Sequence, residues 1–129
     1  LFINDSKATT INSVQTAIES CIQEKSYKRV LVLIGGKDKK LPWSELKSSL
    51  QSGKIKPYFF GESAQLIVSA LNRTDKTAST LNTLLDQLKP TLESGDIILL
   101  SPGGTSYDEF NNFEERGDFF RSWVLANFN

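Results

Sequence analysis

The chain has no histidine and no methionine, and only one cysteine, Cys21, in 129 residues. Without an imidazole there is no histidine general base, no Ser-His-Asp triad and no histidine metal ligand. A single cysteine excludes an internal disulfide and fits a reducing, cytoplasmic setting. With no methionine there is no initiator, and the sequence starts at Leu1 inside an apolar run. The expectation is a piece of a longer protein, cut at a domain boundary. Charge of one sign is also missing: Lys+Arg is 15 and Asp+Glu is 15. That balance gives no electrostatic footprint for nucleic acid or an anionic membrane. No apolar run approaches the ~20 residues of a membrane span, and no signal peptide is visible.

What is present reads as one ordinary globular domain, with 39% hydrophobic and 23% charged residues. Leu1-Phe2-Ile3 reads as a first strand. Thr10 suits the N-cap of a helix reaching about Lys25, with Ile11, Val14, Ile18, Cys21 and Ile22 on one face. Val30–Ile34 is a fully apolar, β-branched run and reads as a buried strand. Pro42 suits the first turn of a helix with Trp43, Leu46 and Leu50 inward and Gly53 at its end. Lys56–Phe60 reads as a third strand and Glu62–Asn72 as a helix. Thr74–Thr80 is polar, with room for a short edge strand. Leu81–Leu92 is a helix that Pro90 kinks or closes early. Asp96–Leu100 is a second fully buried strand, stopped at Ser101-Pro102-Gly103-Gly104. A final helix over roughly Phe110–Ala126 buries Phe119, Phe120, Trp123 and Val124. Alternating strands and helices predict an α/β fold, a mostly parallel sheet with helices on both faces in a single domain.

In an open α/β sheet, ligands bind outside the carboxyl ends of the strands. Three polar loops leave such ends: Asn4–Thr10, Gly35–Lys40 and Ser101–Asp108. They carry Asp5, Lys7, Thr9, Lys37, Lys39, Thr105 and Ser106. Ammonium groups, hydroxyls and free backbone N–H groups hold carboxylate or phosphate through charge-assisted hydrogen bonds. The same set is poor equipment for proton abstraction or nucleophilic attack. Residue chemistry therefore favours an anion-binding module over a complete catalyst.

Each feature also has a plainer reading. Gly35-Gly36 is often only a strand-to-helix turn, and Lys37, Lys39 and Lys40 a solvated run. Ser101–Ser106 reads equally as a turn with capping hydroxyls, and Asp5-Ser6 as an Asx-type turn. Glu114, Glu115 and Arg116 read as a solvated helix face. Phe110 and Phe113 read as core rather than ligand platform, and Cys21 as inert packing.

Three motifs occur in series: Asn4-Asp5-Ser6-Lys7-Ala8-Thr9; Gly-Gly-Lys-Asp-Lys at 35–39; and Ser-Pro-x-x-x-Ser-x-Asp-x-Phe at 101–110 followed by Asn-Phe-Glu-x-Arg-Gly at 112–117. Together they resemble the C-terminal domain of the Mur ligases, in the branch that adds D-glutamate. Other branches usually carry an Asp-Tyr-Ala-His motif where Asn-Asp-Ser-Lys stands here, and this chain has no histidine. The resemblance runs from Asn4 to the last helix. It implies a Rossmann-like domain over residues 1–129 that brings in the amino acid, with a UDP-sugar domain and a central ATPase domain outside this chain. It implies an ATP- and Mg2+-dependent, ADP-forming ligase acting in peptidoglycan synthesis. In that reaction ATP phosphorylates the UDP-MurNAc-L-alanine carboxylate and the D-glutamate amine attacks the acyl phosphate. By family pattern Thr9, Lys39, Ser106 and the backbone near Phe113 hold the D-glutamate carboxylates. Asp5 reaches the nucleotide ribose and Lys7 its phosphates.

Two departures stand out. Thr10 replaces a common asparagine, and Gly103-Gly104 replace an Ala-Cys-like pair. There is no Gly-x-x-x-x-Gly-Lys-Ser/Thr phosphate loop and no apparent magnesium cage. The expectation is therefore that this chain alone binds no cofactor, assigns no catalytic residue of its own, does not turn over, and is a monomer. Two other readings stay open: a free-standing α/β nucleotide- or anion-binding module, and the C-terminal domain of a sibling such as folylpolyglutamate synthase.

Overall fold

The computed structural model describes residues 1–128. Five strands form one sheet: β1 (Phe2–Asn4), β2 (Arg29–Gly35), β3 (Ile55–Phe60), β4 (Thr77–Ala78) and β5 (Asp96–Gly103). Their order is β1-β5-β2-β3-β4, and every pairing is parallel. Four helices connect or follow them: α1 (Ile11–Ile22), α2 (Ala64–Ala70), α3 (Leu81–Leu88) and α4 (Phe113–Phe128). The α/β architecture expected from the alternation is the one observed, and it is Rossmann-like, as the family resemblance implies.

Strand alternation divides the core in two. Val30, Val32 and Ile34 of β2 face α1 and α2, in a cluster with Ile11, Val14, Ile18, Ile67 and Val68. Leu31 and Leu33 face the opposite way, in a cluster with Leu81, Leu84, Leu85, Leu88, Phe120 and Trp123 from α3 and α4. All five side chains from Val30 to Ile34 are fully buried. Each such burial contributes about 1.5–3 kcal/mol of transfer free energy, which is why an unbroken apolar run is required here.

α1 begins where its sequence asks: the Thr10 hydroxyl accepts from Ser13 N at 3.1 Å. The helix ends at Ile22, short of the expected Lys25. The helix expected after Pro42 is instead two 3-10 turns, Trp43–Leu46 and Ser48–Leu50. Trp43, Leu46 and Leu50 are buried as expected. The three-residue step from Trp43 to Leu46 suits a 3-10 turn, and Ser44, Ser48 and Ser49 offer little helix propensity. α3 closes at Leu88 and passes into a 3-10 turn containing Pro90. Phe119 and Val124 of α4 are only half-buried, and the helix starts at Phe113 rather than Phe110.

β5 runs through Pro102 to Gly103 rather than stopping at Ser101. Leu33 pairs with Leu100, yet Gly35 pairs with Gly103, so β5 carries one extra residue. A bulge tolerates a proline in a central strand, because the bulged residue has no ladder bond to lose.

Chain direction then fixes where a ligand can lie. The segments after β1, β2 and β3 turn to the α1–α2 face, while the segment after β5 turns to the α3–α4 face. β5 sits between β1 and β2, so connections diverge on both sides of its carboxyl end. Such a switch point opens a crevice at that edge of a parallel sheet.

Candidate functional site

Three loops meet at this edge: 5–10 after β1, 36–41 after β2 and 104–112 after β5. Backbone hydrogen bonds stitch them together. Asp5 N donates to Leu100 O at 2.8 Å, and Gly103 N donates to Ala8 O at 2.8 Å. Lys37 and Thr105 exchange N–H···O bonds of 2.9 Å in each direction, an isolated antiparallel bridge. Two glycines permit that closeness. A Cβ on Gly36, whose φ is +101°, would lie 2.4 Å from the Thr105 carbonyl oxygen, and a Cβ on Gly104 would lie 2.5 Å from that of Gly35.

Side chains tighten the same edge. Ser101 Oγ donates to Asp5 Oδ2 at 3.2 Å. Burial pushes the Asp5 carboxyl above the usual range, opposed by that hydrogen bond and by the charge of Lys7. Asp38 Oδ1 accepts from Leu41 N at 3.2 Å and from Trp43 Nε1 at 2.8 Å. This holds the second loop down on the core. Asp108 Oδ2 accepts from Glu62 N at 3.0 Å, and Glu109 Oε1 accepts from Leu81 N, the first residue of α3, at 2.9 Å. The third loop is thereby tied to the starts of α2 and α3. Burial raises the Glu109 carboxyl as well, and its Oε2 is buried without a partner.

Arg116 corrects the expectation of a solvated face over Glu114–Arg116: it is 1% exposed. Its Nε donates to Ser6 Oγ at 3.0 Å, its Nη1 to the Gly104 carbonyl at 3.1 Å and its Nη2 to the Ser6 carbonyl at 2.8 Å. Ser6 Oγ in turn donates to the Phe113 carbonyl at 2.7 Å. Burial lowers the Arg116 pKa to about 10, partly countered by Asp108 and Glu109, so the guanidinium stays charged at neutral pH. The sequence did hold a signal for this. Arg116, Phe120 and Trp123 follow i, i+4, i+7 spacing on the buried stripe of α4. Gly117 beside it lets Asn4 approach, the Asn4 Nδ2 donating to the Gly117 carbonyl at 3.1 Å.

The expected ligand residues fall on these loops with unequal access. Lys7 and Lys39 are exposed, and Asp5 and Thr9 are half-buried. Phe113 is 41% exposed, which corrects its assignment to the core. Ser106 is 2% exposed, so its hydroxyl lies within the rim rather than projecting from it. An open cleft of about 240 Å³ runs between the first loop and the start of α4, lined by Asn4, Ser6, Lys7, Phe113, Asp118 and Arg121 among others.

The family described as "Mur ligase, glutamate ligase domain" matches residues 1–104. The chain belongs to the Mur ligase family. It is 38% identical over 128 residues to a UDP-N-acetylmuramoylalanine–D-glutamate ligase of Salinibacter ruber, covering 96% of this chain and 26% of that protein. It is 36% identical over 119 residues to proteins of the same name from Buchnera aphidicola and Pasteurella multocida, covering 92% of this chain and 26% of each. The chain thus spans about a quarter of the length of these curated relatives.

Within this Mur ligase domain, no group of three His, Cys, Asp or Glu side chains among the described residues is placed to hold a metal ion. No helix among them is long and apolar enough to cross a membrane. Beside the carboxylates of Asp5, Asp38, Asp108 and Glu109, the same edge carries cations and hydroxyls: Lys7, Lys37, Lys39, Thr9 and Thr105 around a buried Arg116.

Proposed function

We propose that this Mur ligase chain is the amino-acid-binding domain of a cytoplasmic, monomeric, ADP-forming ligase that joins D-glutamate to UDP-MurNAc-L-alanine in peptidoglycan synthesis. In this reading UDP-sugar and ATPase domains belong to the same enzyme outside these residues. One observation carries it: the loops after β1, β2 and β5 are hydrogen-bonded into a single rim bearing ammonium and hydroxyl groups. A dicarboxylic amino acid needs donors at two separated points, and such a rim offers them.

Thr9 and Lys39 grip the D-glutamate carboxylates together with Ser106 and the backbone near Phe113. Ser106 reaches the carboxylate from within the rim, so its segment must open slightly as the ligand enters. Asp5 and Lys7 face the nucleotide, Asp5 towards the ribose and Lys7 towards the phosphates. ATP supplies the phosphoryl group that turns the UDP-MurNAc-L-alanine carboxylate into a good electrophile. This domain's residues then fix both D-glutamate carboxylates, leaving the amine free to attack that carbonyl. The C–N bond forms, phosphate leaves, and the amine loses its proton to solvent. Positioning of this kind replaces an acid–base step, in keeping with a domain that lacks histidine. The described residues supply no carboxylate cluster for Mg2+.

Steady-state assay of the full-length enzyme tests the proposal. ADP release should require UDP-MurNAc-L-alanine and D-glutamate together, L-glutamate should not substitute, and the isolated 129-residue chain should release none. ADP release that is indifferent to D-glutamate would remove the reading.

A further inference from the structure

We infer that Arg116 is a positioning residue: lodged between Ser6 and Gly104, it sets the spacing between the loop after β1 and the loop after β5, and through that spacing controls binding of the amino acid. The inference rests on the amino-acid-binding role proposed above.

The guanidinium meets every loop of the rim. Two of its three hydrogen bonds go to Ser6 in the first loop and one to Gly104 in the third. In the second loop, a Cβ on Gly36 would lie 3.0 Å from Nη1, so that backbone packs directly against it. Gly104 N in turn donates to the Gly35 carbonyl at 3.1 Å, and Ser6 Oγ to Phe113 O at 2.7 Å. One planar fork therefore links four backbone segments whose separation defines the rim.

Stability alone is a poor reason to keep this group. A buried cation held only by carbonyl and hydroxyl oxygens carries a desolvation cost that a well-packed apolar side chain avoids. A flat guanidinium does what no apolar side chain can. Its donors leave at fixed angles, so acceptors on different loops are held at fixed distances. Lysine offers one donor point and cannot span Ser6 and Gly104 together. Arg116 touches no open part of the cleft, being 1% exposed, so it acts on ligand only through the loops.

The test uses the full-length ligase carrying Arg116→Met and, separately, Arg116→Lys. Both are checked for folding by thermal denaturation. KM is measured for D-glutamate and for UDP-MurNAc-L-alanine, and hydrogen exchange is followed at residues 5–9 and 103–107. In both variants the D-glutamate KM should rise ~10-fold or more while the KM for the UDP substrate stays within ~2-fold, as expected when charge-assisted hydrogen bonds are lost. Exchange should quicken in both segments at once. A folded Arg116→Met variant with an unchanged D-glutamate KM, or full recovery of it by Arg116→Lys, overturns the inference. If Arg116→Met does not fold, Ser6→Ala removes the Nε acceptor together with the hydroxyl's bond to the Phe113 carbonyl, and leaves the Nη1 and Nη2 bonds in place. It should raise the same KM ~3-fold or more, and no change in it overturns the inference equally. Wild-type enzyme that turns over without regard to D-glutamate would sink the functional reading instead. In that case the exchange measurement decides the linkage: unchanged exchange in either segment ends it.

Discussion

Lys37 and Thr105 bond to each other through their backbones in both directions, at 2.9 Å, across the point where β2 and β5 hand over to their loops. The bridge requires Gly36 at φ +101° with no side chain, since a Cβ would sit 2.4 Å from the Thr105 carbonyl oxygen. Gly36→Ala should therefore destabilise the domain by about 2–4 kcal/mol, combining left-handed backbone strain with the displaced bridge. For a chain of this size that is a fall in Tm on the order of 10 °C. Calorimetry of the isolated domain measures it, and a Tm within a degree or two of wild type would mean that the bridge is dispensable.

Arg29 and Asp96 make a second pair, at the opposite end of the same strands. Arg29 Nε donates to Asp96 Oδ1 at 2.8 Å and Nη2 to Oδ2 at 2.7 Å. Asp96 also accepts from Glu93 N at 2.8 Å. The Arg29 guanidinium holds the Asp96 carboxyl below the usual carboxylate range. A depressed carboxylate contributes stability that is present above its unfolded pKa, near 3.9, and lost as pH falls through the folded value. Asp96→Asn should cost about 1–3 kcal/mol at pH 7. The gap between variant and wild type should shrink as pH drops below ~4. Urea denaturation at several pH values reads this directly, and a gap that does not depend on pH would contradict it.

Asp5 is expected to behave the other way. Burial raises its pKa, so its charged form is disfavoured in the folded chain and stability is lost rather than gained as pH rises past the unfolded value. Asp5→Asn keeps an oxygen for Ser101 and removes the buried charge. Its Tm should equal or exceed that of wild type at pH 7, with the difference fading below pH ~4. In the full-length ligase the same change should raise the KM for ATP, because the proposed ribose acceptor is weakened. A residue that costs stability and serves binding is the usual mark of a functional site. A lower Tm with unaltered ATP kinetics would reverse its assignment.

The sequence made the sheet legible because its signals agree. The apolar runs at Val30–Ile34 and Asp96–Leu100 became the central strands, and the Thr10 hydroxyl caps the helix whose apolar face begins at Ile11. The segment after Pro42 was legible only in its burial. Trp43, Leu46 and Leu50 fit two kinds of helix, and the serines decide against the longer one. Pro102 reads as a stop because a lost donor usually ends a strand, but a bulge evades the loss.

At the site, loop positions followed from strand ends, whereas the groups that join the loops did not. Arg116 follows two acidic residues and looks solvated unless its spacing to Phe120 and Trp123 is counted. Ser106 reads as a free hydroxyl and is in fact enclosed. Both depend on contacts between residues far apart in sequence, which local pattern does not carry.

The claim that the rim grips a small diacid is tested most directly at Lys39, an exposed residue with no packing role to confuse the result. In the full-length ligase, Lys39→Ala should raise the KM for D-glutamate ~10–100-fold, the loss of one charge-assisted hydrogen bond to a carboxylate. Its Tm and its KM for UDP-MurNAc-L-alanine should stay close to wild type. A Lys39→Ala enzyme with an unchanged D-glutamate KM would contradict the account.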